Sequence, residues 1–212
     1  MVFTPAPQSD ARESFRQLLE ESYQRRSLVH VTAGSSVPLL KKNVWFVVRG
    51  MVSLSTISYQ GDELLVGLAG PNEPFGEPLS NLDTYEARAL ADCDLLCLSC
   101  DEIAQAPHLA VAVLQGLGAR YRQSEALLAL LGLRRIEDRV RGFLELLAND
   151  YGQPCDQGLR LDLRLTHQEI ANALSTTRVT VTRALGSLRE QGWLQLDSHR
   201  RLVISHLPAV RR

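Results

Sequence analysis

The chain has 212 residues, 45% of them hydrophobic, with 23 Lys and Arg against 24 Asp and Glu. It is long enough for one large or two small domains with buried cores, and no apolar run reaches the ~20 residues that a membrane-spanning helix needs. The opening MVFTPAPQSDARESF has no basic segment followed by an apolar one, so it does not read as a secretory signal, and a cytoplasmic protein is expected.

Charge is divided unevenly. Residues 1–133 hold 10 Lys and Arg against 15 Asp and Glu, a net −5; residues 134–212 hold 13 against 9, a net +4. A basic second part suits a phosphate-binding surface, although many inert domains share that balance.

From about Leu28 to Ser99 the pattern is one of short strands. Leu28-Val29-His30-Val31 begins it, and Val44 to Leu54 continues it as one run. Gln60-Gly61-Asp62 reads as a hairpin turn between Ile57 and Leu64, and Leu64–Leu68 and Ala87–Leu98 complete the series. Many short strands with turn signals predict an antiparallel sandwich or barrel.

Three of the four cysteines, Cys93, Cys97 and Cys100, fall at a spacing that an iron–sulfur cluster could use. In a strand, however, Cys93 and Cys97 would stand roughly 13 Å apart, too far to share one cluster. Packing as small apolar residues is the expected role, and no metal or cofactor is expected. Cys155 reads as a bystander in a loop, part of a surface segment from Ala148 to Gly158.

Pro107 can open a helix. From there Ala110, Leu114, Leu117, Tyr121, Ser124, Leu128 and Leu131 recur at alternating spacings of four and three, the a/d seam of a two-stranded coiled coil. The stripe either packs on its own domain or pairs with a second copy; self-pairing is the expectation, with Leu114, Leu117, Tyr121, Ser124, Leu128 and Leu131 as dimer residues. Gly132 breaks the run, Leu133-Arg134-Arg135-Ile136 reads as a hinge, and Ile136, Val140, Phe143, Leu144 and Leu147 begin a second core.

The most informative stretch is LTHQEIANALSTTRVTVTRALGSLREQG at 165–192. Thr166 and Glu169 form a capping box that starts a short helix with Ile170, Ala173 and Leu174 on one face. Ser175-Thr176-Thr177 interrupts it and supplies a fresh N-cap. A second helix runs from about Arg178 to Gln191, with Gly192 where a left-handed residue ends it. Val181, Ala184, Leu185 and Leu188 share its apolar side, while Val179, Thr182, Arg183 and Gly186 point the opposite way, flanked by Arg178. An arginine fork suits guanine O6 and N7, a valine methyl suits the thymine methyl, and Thr176, Thr177 and Thr182 suit phosphate oxygens. With His167 at the head of the first helix, these are the candidate DNA-binding residues. The alternative is an ordinary helix pair with solvated arginines. Next come Trp193–Leu196, a turn at Asp197–Arg200 and the strand Leu202–Ile204: a hairpin wing whose Arg200 and Arg201 either touch the DNA backbone or are solvated.

Residues 136–206, above all the string from Leu165 to Leu194, resemble the DNA-binding domain of the cyclic-AMP receptor protein/FNR family of bacterial transcription regulators. Within it, RVTVTR at 178–183 looks most like the global nitrogen regulators of cyanobacteria. The resemblance implies an α+β architecture: a double-stranded β-helix (jelly roll) sensor domain at 1–106, a dimerisation helix and hinge at 107–135, and a winged helix-turn-helix at 136–212. It further implies that Arg178, Val179 and Arg183 read bases of GTA/TAC half-sites in a two-fold symmetric operator, with double-stranded DNA, a second copy of the chain and RNA polymerase as partners.

The ligand cassette departs from the family. Phe75-Gly76-Glu77 resembles its start, but the following segment is shortened by about four residues, and Asp83 stands where the family places an anion-binding arginine. An aspartate repels an anion. Arg120 and Glu125 match positions that hold 2-oxoglutarate in the nitrogen regulators; the other reading is an ion pair, solvated or between subunits. The expectation is therefore a regulator without a small effector or with a non-standard one. A 2-oxoglutarate- or cyclic-nucleotide-responsive regulator is the alternative. An enzyme on a cupin-like jelly roll is disfavoured, since the first half has only His30 and His108 and no His-x-His.

Overall fold

The computed structural model describes residues 27–163 and 165–205. They fall into two compact units whose boundary lies between Ser124 and Glu125, inside a single long helix. The expected segment 107–135 is thus shared between the units.

The first unit is built from β1 (Val29–Val31), β2 (Asn43–Arg49), β3 (Val52–Ile57), β4 (Glu63–Ala69), β5 (Pro74–Phe75), β6 (Glu86–Ala89) and β7 (Cys93–Ser99). They make two antiparallel sheets, ordered β1-β7-β2-β5 and β4-β3-β6. Alternate residues from both sheets meet in one core, with Val31, Trp45, Val47, Phe75 and Leu95 from the first and Val52, Leu54, Ala69, Ala87 and Ala89 from the second. The back of the first sheet, through Val44, Phe46, Leu96 and Leu98, packs on Leu109 and Ala112.

The run from Val44 to Leu54 is not one strand. Gly50 has φ +95°, and a Cβ there would lie 2.6 Å from the Asp92 carbonyl oxygen, so only glycine fits and the chain crosses there from one sheet to the other. The run Ala87–Leu98 is likewise two strands in different sheets. Both runs are apolar enough to hide the break, because strands of a sandwich core can read as continuous hydrophobic stretches.

Helix α1 (Cys100–Gln105) begins at a Ser99–Glu102 capping box, and α2 (Pro107–Leu131) follows. Cys93 is fully buried and its thiol donates to the Met51 and Ala91 carbonyls. Cys97 accepts from Asn43 Nδ2 at 3.3 Å. Among the described residues no group of three or more His, Cys, Asp or Glu is placed to hold a metal ion, and no helix is long and apolar enough to cross a membrane.

The second unit holds the end of α2, then α3 (Ile136–Tyr151), β8 (Gln153–Cys155), β9 (Gly158–Arg160), α4 (His167–Ala173), α5 (Arg178–Glu190), β10 (Leu194–Leu196) and β11 (Leu202–Ile204). Val140, Phe143, Leu144 and Leu147 are buried here, while Ile136 is half-buried. The segment read as a loop from Ala148 to Gly158 is the last turn of α3 and a hairpin. Its β9 pairs with β11, giving a four-stranded sheet β10-β11-β9-β8. Cys155 lies in β8 rather than in a loop. The three-residue strands are too short to show a period of two, which is why the sequence pattern missed them.

Candidate DNA-reading surface and effector cassette

Local chemistry builds the helix pair as its sequence dictates. Thr166 Oγ1 accepts from the Glu169 N–H, and Glu169 Oε2 accepts from the Thr166 N–H at 2.6 Å. Ile170, Ala173 and Leu174 are buried beneath. Between the helices Ser175 takes φ +49°, a left-handed conformation that its sequence did not announce. Thr177 caps α5, its hydroxyl accepting from the Thr180 N–H. Gly192 ends that helix with φ +70°, as expected.

Helix α5 buries Val181, Ala184, Leu185 and Leu188. Its other side presents Arg178, Val179, Thr182 and Arg183 to solvent. Val179 is 60% exposed. The threonines differ among themselves. Thr176 is half-buried, and Thr177 spends its hydroxyl on the cap. Thr182 donates to the Arg178 carbonyl at 2.9 Å and lies 2.8 Å from His167 Nδ1.

Arginines tie the unit together. Arg139 Nε donates to the Leu133 carbonyl at 2.7 Å. Arg141 stacks over the Trp193 ring, 4.9 Å from its centre. On the wing, Arg160 and Arg201 both bind the Asp162 carboxylate. Asp197 accepts the His199 and Arg201 N–H groups, each at 2.8 Å. Arg201 is thus engaged within the sheet, while Arg200, at φ +60° on the tip, is exposed. Arg160 chiefly, and Arg201, hold the Asp162 carboxyl below the usual aspartate range.

In the β domain Phe75 is buried in the core opposite Trp45. Gly76 has φ +149°, with room for no side chain beneath the Asn43 carbonyl. Glu77 opens a 3-10 turn. Sequence reasoning passed over the residue that meets this cassette. Tyr85 is half-buried, with the Gly76 backbone and the Arg120 charge close enough to act on its phenol. Burial pushes the Tyr85 phenol up, against the opposing pulls of Arg120 and the Gly76 backbone. Its segment, Asp83-Thr84-Tyr85, carries no periodic signal that could have found it. Arg120 Nη1 donates to the Leu68 carbonyl, and Asp83 and Arg88 are exposed. Glu125 is exposed as well. It is five residues from Arg120, about 140° around the helix, so the two project differently.

On α2, Ala110, Leu114, Tyr121, Ser124 and Leu128 are exposed, and Leu117 and Leu131 half-buried. Leu114 is 70% and Leu128 71% exposed. The other face of the helix, with Leu109, Ala112, Ala126, Leu127 and Leu130, is buried.

Two family descriptions match. A cyclic nucleotide-binding domain covers residues 40–106, and a Crp-like helix-turn-helix domain covers 138–212. The global nitrogen regulator of Nostoc sp. (strain PCC 7120) is 37% identical over 179 residues, 80% of this chain and 79% of that protein. The regulatory protein CysR of Synechococcus elongatus is 37% identical over 159 residues, 74% of this chain and 73% of that one. Among solved structures, a CRP-family transcriptional regulator from Thermus thermophilus has a TM-score of 0.71 at 22% identity, covering 87% of this chain and 95% of that one. FixK2 from Bradyrhizobium japonicum has the same TM-score at 20% identity, covering 85% and 92%. These likenesses to solved structures carry the fold; the sequence relatives carry the family. The chain belongs to the CRP/FNR family of DNA-binding transcription regulators.

Proposed function

We propose that this regulator works as a homodimer on a two-fold symmetric operator, with Arg178, Val179 and Arg183 of each protomer reading GTA/TAC half-sites. The observation that carries the reading is Val179, left 60% exposed beside two exposed arginines on a helix whose opposite side is buried. That surface pairs guanidinium forks for guanine with a methyl face for thymine. The exposed stripe of Leu114, Tyr121 and Leu128 supports self-pairing, which supplies the second reading head about 34 Å away. The protein binds DNA in the cytoplasm without catalysis, and RNA polymerase is the partner that turns binding into regulation.

This reading includes control without a small effector at the family's cassette. Tyr85 close to the Gly76 backbone, Arg120 bound to Leu68 and Asp83 in place of an arginine support it. The second reading, a 2-oxoglutarate- or cyclic-nucleotide-responsive regulator, draws on Tyr85 and Arg120 lying close to each other and to Gly76 at the start of the cassette.

Fluorescence anisotropy with a GTA-N8-TAC duplex tests the operator. At physiological salt the protein should prefer it to scrambled duplex by on the order of a thousand-fold. Replacing Arg183 by Ala should cost about 1–3 kcal/mol and relax preference at one base position. Equal affinity for both duplexes, with or without candidate effectors, would overturn the reading.

A further inference from the structure

We propose that His167 is a positioning residue for DNA reading: it holds Thr182, and through Thr182 the first turn of the recognition helix, rather than gripping DNA itself. The inference rests on the reading of Arg178 as a base contact.

The geometry forms a chain. His167 is the first residue of α4, and its Nδ1 lies 2.8 Å from Thr182 Oγ1. Thr182 Oγ1 lies 2.9 Å from the carbonyl oxygen of Arg178, the first residue of α5. A threonine hydroxyl has one proton to give and two lone pairs to accept with. The carbonyl of Arg178 can only accept, so the proton goes there. The contact at Nδ1 must then run the other way, with an Nδ1–H donating to the hydroxyl. In the neutral ring this is the tautomer with hydrogen on Nδ1 and a lone pair on Nε2.

Two consequences follow. In this state neither Thr182 Oγ1 nor His167 Nε2 has a proton left to donate to a phosphate oxygen. What Thr182 keeps unengaged is its γ-methyl, one helical turn from the exposed Val179. The chain also joins the first residues of both helices of the motif. A hydroxyl bonded back to the carbonyl four residues earlier competes with the helix's own bonding, and here the carbonyl it binds is that of Arg178, in the first turn. The Thr166–Glu169 capping box and the Thr177 N-cap, which accepts from the Thr180 N–H, anchor the backbone on each side. The imidazole is the link between them.

The two ring nitrogens can be separated by substitution. An asparagine amide reaches roughly where Nδ1 stands, and a glutamine amide roughly where Nε2 stands. On the GTA-N8-TAC duplex, His167→Asn should stay within about two-fold of the natural protein. His167→Gln, His167→Ala and Thr182→Val should each weaken binding about five-fold, the worth of one net hydrogen bond, and relax the preference at the base pair that Arg178 reads. The double variant His167→Ala/Thr182→Val should be no weaker than either single one. If His167→Gln keeps full affinity while His167→Asn loses it, and the salt slope falls by about one, the ring grips phosphate and the proposal is overturned. It is overturned too if every variant keeps the natural base preference. Nitrogen-15 NMR of the DNA-free protein checks the tautomer without any operator: an Nδ1–H signal for His167 that disappears in Thr182→Val is expected, and an Nε2–H tautomer overturns the proposal. Loss of operator preference by the natural protein, with the Nδ1–H signal present, would instead fault the operator assignment.

Discussion

The guanidinium of Arg120 donates to the carbonyl oxygen of Leu68 at 2.6 Å, and three residues on, Gln123 Oε1 accepts the Leu68 N–H at 2.7 Å. One turn of α2 thus holds both backbone groups of one residue in β4, the edge strand of its sheet. An edge strand has outward groups in need of partners, and here the helix supplies them. Gln123 is buried. Gln123→Leu should therefore lower stability by about 1–3 kcal/mol, because it takes a partner from a buried N–H. Thermal unfolding checks this, and an unchanged midpoint would show that the clasp contributes nothing.

The same clasp bears on effectors. Arg120 is turned toward the strand, and Tyr85 lies close to the Gly76 backbone and to the Arg120 charge. Calorimetric titration of the purified protein with 2-oxoglutarate, and separately with cyclic AMP, should give no tight stoichiometric heat. Heat that vanishes in Arg120→Ala would instead establish the effector-responsive reading.

Leu114 and Leu128 stand in solvent on α2. Because neither is part of a core, Leu114→Glu/Leu128→Glu should leave the fold intact yet place like charges across a paired seam. Sedimentation should show monomers, with operator affinity largely lost. A variant that remains dimeric would place the interface elsewhere.

The wing carries a pH dependence. The Asp162 carboxyl is held below its ordinary value, first by its hydrogen bonds with Arg160 and then by Arg201. A depressed acid stabilises the fold fully above its unfolded value, near 4, and loses that contribution as pH falls through the lower folded value. Asp162→Asn should thus lower stability at pH 7 by less than about 1 kcal/mol, since the pair is largely exposed. The difference from the natural protein should shrink below pH 4. Unfolding curves from pH 7 to pH 3 check it; a difference that grows on acidification would contradict the sign.

The helix-turn-helix was legible residue by residue, because its signals are local. The Thr166–Glu169 box, the Thr177 cap and the Gly192 terminus are set by neighbours three or four positions apart, and the spacing of Val181, Ala184, Leu185 and Leu188 marks the buried side of α5 directly. The exposure of Leu114, Tyr121 and Leu128 on α2 follows from the same local spacing. Composition alone already placed basic charge in the half that reads DNA.

Tertiary structure decided what depends on distant partners. The break at Gly50 is imposed by the Asp92 carbonyl, and the hairpin of β8 and β9 exists because β11 lies beside it. Tyr85 meets Gly76 and Arg120 meets Leu68 only once the sheets have closed. His167 and Thr182, fifteen residues apart, read as two separate candidate DNA-binding residues in sequence and become one hydrogen-bonded chain in space. Periodicity reports which side of an element is buried. It does not report which atom waits on the other side.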